Sequence, residues 1–475
     1  MQLNRTISLP LALFLVMAFA ATGLTQRATL TPPRFLPGDD AIGPAAGDQE
    51  SPAIARGDNS FLVVWSDKRA AAGGSIFSEV ETSADIYGMR LDAGGNPIDS
   101  VPFAITQGRA AQVKPQVAWN GSNWLVVYES VDVNGTGVYY SSSLEAVRVS
   151  PDGQVLDSTP ISVHRSSFSS GLISTLASDG DGWVVVNQGT SSGESDIMAM
   201  RISPDGIVLD RPARLIVPAT YYLRFNLRLA YTSGTFLLVW GANNSIKGVR
   251  FNQQLDVLDA TPLNLASTSD RAGLAANQDT FYMIWKAQQP DFTHAIKGSR
   301  IDISGNLLDG SGVNISGNHQ PQAFTAYDTT WDGINFRVSW GSEGVSVARV
   351  SPAGVVLDPG GVPLATLMAG TSAGGPSGGL LLAWDVPNFD LAEGADVHVG
   401  HVSADNVAGP ATTVSLGAPR QTHADIADSG NGSMLVFRSD ISGTNRVMAQ
   451  PLDANGDPVG TGPVLLGTGD STDGP

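Results

Sequence analysis

Cysteine is absent from the 475 residues of this chain. That excludes disulfides, thiolate zinc sites, cysteine nucleophiles and lipid attachment through cysteine. Charge is also scarce: Asp, Glu, Lys and Arg make up 15%, below the roughly 25% of an average soluble protein, so neither a coiled coil nor a charge-driven disordered chain fits. Positive charge is the scarcer sign. Against 45 Asp and Glu stand 27 Lys and Arg, for a formal net charge of −18, whereas nucleic acid and anionic lipid both call for a positive surface. No Walker loop, dinucleotide fingerprint, Gly-x-Ser-x-Gly elbow or His-Glu-x-x-His occurs. Glycine is plentiful instead, with 54 residues beside 28 prolines.

Residues 1–20 read as a secretory signal peptide. Arg5 supplies the positive end, Ile7 to Phe19 an apolar run, and Ala18-Phe19-Ala20 the small-x-small cleavage pattern. The run is shorter than the ~20 residues that span a bilayer, and no later segment is long and apolar enough to cross one. The expected mature protein is secreted, periplasmic or extracellular, with no membrane insertion. Residues 21–48 carry Pro32, Pro33, Pro37 and Pro44 and read as an extended segment, able to add an edge strand beside the last repeat. Residues 49–467 read as one repeat domain, and the Gly-rich acidic residues 468–475 as a flexible tail.

Repetition decides the fold class. Ser51-Pro-Ala-Ile-Ala55, Phe61-Leu-Val-Val-Trp65, Ile86-Tyr-Gly-Met-Arg-Leu91 and Pro102-Phe-Ala-Ile105 form one unit, and the order returns from Pro115 to Val163. The second segment recurs, ending at Trp65, Tyr128, Asn187, Trp240, Trp285, Trp340, Trp384 and Phe437, about every 53 residues, a propeller or array period. Turn chemistry such as Asp92-Ala-Gly-Gly-Asn96, Pro151-Asp-Gly153 and Pro204-Asp-Gly206 separates the third and fourth runs. Four short strands make a small antiparallel sheet that cannot bury both faces alone, so copies must stack. The expectation is an all-β chain, a single β-propeller of four-stranded blades. Eight blades are favoured, and the alternative is seven with one divergent unit outside the ring. The seventh unit is weakest, since Gly370–Gly379 replaces a recognisable first strand.

The first unit, with Leu62-Val-Val-Trp65-Ser-Asp67-Lys-Arg69, resembles a repeat common in large exported bacterial β-propeller proteins. Only this unit keeps Trp-x-Asp-x-Arg. The resemblance implies propeller architecture and export, and no reaction.

Strand order separates two faces. Turns between runs one and two, and three and four, are short and alike; connections between runs two and three, and between blades, are long and varied. Long loops on a rigid scaffold commonly bind, so the second face is the candidate functional face. Its candidate ligand-binding residues are Asp67, Asp85, Tyr139, Tyr140, Tyr221, Tyr222, Arg224, Phe292, Asp385 and Asp390. Aromatics beside carboxylates suit sugar rings, and equally a protein partner. The expected function is non-catalytic binding of a protein or carbohydrate at or outside the cell surface, by a monomer, without nucleic acid. A secreted polysaccharide hydrolase or lyase using carboxylates on that face is the alternative.

Other constellations read as structure. Arg90, Arg148, Arg201, Arg250, Arg300 and Arg349 share one repeat position, which points to pairing between blades. His398 and His401 fall on opposite sides of a strand, and no histidine cage is expected. Asp179-Gly-Asp-Gly182 and Arg56-Gly-Asp58 sit where hairpins belong. No cofactor is expected, although the acidic loops leave room for weak calcium binding.

Overall fold

The computed structural model describes residues 45–46, 49–68, 84–108, 110–133, 139–166, 173–188, 196–218, 225–242, 244–268, 271–319, 326–341, 344–364, 370–375, 378–386, 396–415, 417–418, 420–428, 433–441, 444–452 and 464–469. The expected signal peptide, most of the extended segment and the acidic tail lie outside them. Every named element is a β-strand. They form eight antiparallel four-stranded sheets, each taking its strands in chain order, and one two-stranded parallel pair. In the first sheet, Gln49–Arg56 is innermost, followed by Phe61–Asp67, Asp85–Leu91 and Phe103–Thr106. Phe61–Asp67 is buried at every position. Its unbroken apolar run, rather than an alternating one, is what a strand needs when neighbours cover both faces of its sheet.

Seven apolar clusters, each spanning two sheets, join the first seven sheets into a ring. Leu62, Val64 and Ile86 of blade 1 (49–106) pack with Trp124, Val126 and Tyr128 of blade 2 (111–166). Further clusters join blade 2 to blade 3 (173–217), 3 to 4 (225–266), 4 to 5 (272–314), 5 to 6 (326–364) and 6 to 7 (371–415). The seventh closes the circle, because Ile54, Phe61, Val63 and Trp65 of blade 1 pack with Ala373, Leu381, Ala383, Val397 and Val399 of blade 7. The protein is therefore a seven-bladed β-propeller, the alternative reading of the repeat count. The eighth repeat forms its own four-stranded sheet, within residues 420–469, outside the ring. Periodicity counts units; closure depends on which faces fit, and blade 7 fits blade 1.

The unit that reads as weakest is thus a ring member. Its innermost strand is the short Thr371–Gly374. A Cβ on Gly374 would collide with the carbonyl oxygen of Trp331 in blade 6, so only glycine allows the two backbones to approach this closely. Just beyond blade 7, Gly417–Ala418 pairs in parallel with Ala45–Ala46, tying the chain before blade 1 to the chain after blade 7. The pair is a two-stranded sheet of its own and not an edge strand of the last repeat, where the N-terminal segment was expected.

The six recurrent arginines staple the short-turn face. Each pairs with the Asp nine residues on: Arg90–Asp99, Arg148–Asp157, Arg201–Asp210, Arg250–Asp259, Arg300–Asp309 and Arg349–Asp358, at 2.6–2.8 Å. The same carboxylate accepts the arginine's own backbone N–H, as at Arg250. In five blades Nη1 also donates to a carbonyl in the next blade's turn: Pro151, Pro204, Ile303, Pro352 and Ala404. Pairing between blades, expected from the repeat position, thus runs through these turns. In blade 7 the position holds His401, which packs over Gly95 of blade 1 as Arg90 packs over Gly153. His398, on the other side of that strand, stacks on Trp384 at 5.8 Å. Asp179-Gly-Asp-Gly182 and Arg56-Gly-Asp58 are hairpins, as expected: Asp179 Oδ1 accepts from the Asp181 and Gly182 backbone N–H groups, and Gly57 N donates to Ser60 O.

The staples make stability acid-sensitive. The side-chain hydrogen bond from Arg349, aided by its backbone N–H and by Asn406 and opposed by burial, holds the Asp358 carboxyl at about 2. An unfolded-chain Asp titrates near 3.9. A lowered folded-state value stabilises above the unfolded one, and the benefit disappears as pH falls through the folded one. Asp358 alone is therefore expected to cost about 2 kcal/mol between pH 5 and pH 2. Urea midpoints should fall over that window, and less steeply in Asp358→Asn. Equal slopes would refute the assignment.

Candidate functional site

The connections between second and third strands, and between blades, open on the face opposite the staples. Of the residues nominated there, Asp67 and Asp85 are brought together, as cross-strand neighbours at the ends of Phe61–Asp67 and Asp85–Leu91. Both are buried. Trp65 Nε1 donates to Asp67 Oδ2 at 2.9 Å, and the Gly108 N–H donates to Asp85 Oδ1 at 3.2 Å. Both carboxylates, nominated as ligand-binding residues, are thus engaged at the top of blade 1. Phe292 is the reverse case: it is 78% exposed, at the tip of the connection between Phe281–Gln288 and His294–Ile301. Its φ of 63° lies in the left-handed region, where a bulky residue is uncommon. Tyr139 and Tyr140 open the strand Tyr139–Val149, and Asp385 lies in Leu380–Val386. Tyr221, Tyr222, Arg224 and Asp390 lie outside the described residues.

Two polar groups escaped the sequence reading. One follows a bulge in the innermost strands, where Ser51, Lys114 and Asn226 take left-handed φ of 56°, 54° and 51°. At the second bulge Lys114 reaches Glu129, 3.1 Å away and only 3% exposed. The other lies at one level of the innermost strands, opposite the residue before each blade's Trp, Tyr or Asn anchor. The seven residues there are Ala53, Gln116, Thr175, Arg228, Gly273, Asp328 and Thr371. Asp328 Oδ2 accepts from Ser372 N and Oγ of blade 7, both at 2.8 Å. Burial pushes the Asp328 carboxyl up, against the pull of the Arg228 charge. Aligning the first runs would have exposed both residues, since Arg228 and Asp328 each interrupt an otherwise uncharged level.

Among the described residues no three His, Cys, Asp or Glu gather as metal ligands, and no helix is long and apolar enough to cross a membrane.

The fold and this face define a seven-bladed propeller with a stapled face and a long-loop face. No family model matches the chain, and no curated protein matches its sequence. Solved structures with a related fold include the subtype N11 neuraminidase-like protein of A/flat-faced bat/Peru/033/2010, at 12% identity, covering 68% of this chain and 90% of that one, TM-score 0.38. Another is the Trypanosoma rangeli sialidase in complex with the inhibitor DANA, at 9% identity, 88% and 87% coverage and TM-score 0.38. A third is the GH43_1 enzyme from Xanthomonas citri complexed with xylotriose, at 11% identity, 56% and 93% coverage and TM-score 0.33. At these distances no residue's role carries over.

Proposed function

We propose that this protein is an exported, non-catalytic β-propeller that binds a protein or glycan partner through its long-loop face. One observation carries the reading. Among the seven equivalent innermost-strand residues, Asp328 is the single carboxylate, and Asp67, Asp85 and Glu129 on the same face are buried in bonds of the fold itself. A glycosidase needs two carboxylates facing each other across a substrate; a binding surface needs a rigid frame and exposed anchors, for which Phe292 qualifies. The signal-like residues 1–20 and the resemblance of the first unit to exported bacterial repeats support a place outside the cytoplasm.

A glycan array and a pulldown from envelope extract test the proposal, and nothing above background in both would end it. Phe292→Ala is expected to weaken capture about tenfold, the scale of an aromatic hot spot, with an unchanged Tm. Undiminished capture would remove Phe292 from the site.

The second reading, a polysaccharide-active enzyme, draws on the Asp328 carboxyl, which burial biases toward the protonated form that a general acid needs. New reducing ends or unsaturated products from purified protein, lost in Asp328→Asn, would establish it in place of the first.

A further inference from the structure

The eighth repeat has the make-up of a ring blade without a blade's place. Its strands Arg420–Asp428, Ser433–Ile441, Thr444–Leu452 and Val464–Gly469 pair in chain order, as in every blade. Its second strand carries the unbroken apolar run Met434-Leu-Val-Phe437, a pattern that goes with neighbours on both faces of a sheet. Among the described residues, no strand of the eighth sheet lies along a ring strand. The innermost strand of each ring blade, by contrast, lies along those of both neighbours.

Met434 shows which face is open. It stands three residues before the Phe437 anchor and is 41% exposed. The seven ring residues at that position, Leu62, Leu125 and Leu381 among them, are at most 2% exposed. Each is turned toward the following blade. Leu62 joins Trp124 and Val126 of blade 2, and Leu381 joins Phe61 and Val63 of blade 1. In an eight-bladed ring the Met434 face would therefore meet blade 1, and blade 7 holds that place. A face made to be covered by another blade is left without one.

We propose that the same face of a second copy of the chain covers it. The protein is then a two-fold dimer joined through its eighth sheets, where the sequence alone suggests a monomer. All seven junctions of the ring are blades of this repeat packed on one another, so a sheet of the same repeat is the kind of surface that fits. The ring has no free blade to offer, because those seven junctions are closed. Two identical faces meeting about a two-fold axis cover each other and stop the assembly at two. Charge permits the contact. The chain carries −18 overall, yet the four strands balance Arg420, Arg438 and Arg446 against Asp425, Asp428 and Asp440. Three strands of nine residues run about 30 Å, and four strands span roughly 15 Å, so two faces bury on the order of 1,000 Å², the lower limit of a specific interface. The dimer would hold two long-loop faces in one particle, which raises avidity for a repetitive partner. It does not depend on what those faces bind.

Sedimentation velocity of the purified protein over a micromolar concentration series tests the dimer. Wild type is expected to pass from monomer to dimer with a Kd on the order of micromolar, as suits an interface of this size. Met434→Asp puts a carboxylate into the contact and should weaken association about tenfold or more, with native circular dichroism. Because the chain has no cysteine, Met434→Cys offers a single thiol, and a short bis-maleimide should link two copies through it. Phe292→Cys, at a site 78% exposed on the long-loop face, should not be linked. A monomer at every concentration, a dimer undiminished in Met434→Asp, or equal linkage through the two thiols would overturn the dimer. A monomer that still captures a partner through Phe292 would refute it and leave the proposed function standing. A dimer that captures nothing would do the reverse.

Discussion

Arg337→Ala is expected to destabilise the ring by about 3–5 kcal/mol, the cost of removing one member of a buried charge network. Its guanidinium has no exposed surface. It extends from blade 6 into blade 7, donating to the carbonyl oxygens of Gly378 (2.8 Å), Ser403 (3.2 Å) and Ala404 (3.3 Å) and to Asn406 Oδ1 (2.6 Å). The Asp332 carboxylate lies 3.6 Å away, also fully buried, and caps its own hairpin through the backbone N–H groups of Ile334 and Asn335. Burial lowers the Arg337 pKa against the opposing pull of Asp332, yet an arginine at neutral pH stays charged. Truncation would strand the Gly378 carbonyl, the Asn406 amide oxygen and the Asp332 carboxylate, whereas the Ser403 and Ala404 carbonyls keep the Asn406 N–H and Arg349. Urea unfolding at pH 7 measures the effect. Arg337→Lys should recover only part of it, because a compact ammonium cannot span the same acceptors. A loss below about 1 kcal/mol would show that water replaces the guanidinium, and the network would not hold blades 6 and 7 together.

The second large effect is expected at a staple. Arg250→Ala should cost about 3 kcal/mol, because it leaves the Asp259 carboxylate, 5% exposed, without its countercharge and with only the backbone N–H of residue 250, and frees the Ile303 carbonyl of the next blade. Arg214→Ala provides the contrast. The Arg214–Asp256 pair has a similar length, 3.0 Å, with side chains 48% and 60% exposed, and solvent screening should reduce its effect below about 1 kcal/mol. Similar losses in the two variants would mean that the staple is an ordinary surface ion pair. A staple that matters also explains its position: it spans the short-turn face and leaves the opposite face free to vary its loops.

Much of this architecture was legible in one dimension. The second-strand runs are visible because neighbours cover both sides, which selects unbroken Val, Leu and aromatic stretches. The Gly, Asn and Asp turns are visible because positive φ restricts residue choice, as at Gly153 and Asn406. The arginines stood out by repeat position, but their carboxylate partners, nine residues on in a different run, did not. The site was less legible. Asp67 and Asp85 look like loop acids, and only the pairing of their strand ends shows them buried. Asn187 reads as one more imperfect anchor; that its buried amide has no partner among the described residues is visible only in the folded sheet.

The sequence by itself determined the strand content, the four-run repeat, the two unlike faces and the chemistry of the turns. Each of these follows from local periodicity and backbone sterics, which a single chain segment expresses on its own. The number of blades, the exclusion of the eighth sheet and the Arg337 network were decided only by the tertiary structure. They depend on which faces meet across the ring, and contacts between residues hundreds of positions apart leave no period to read.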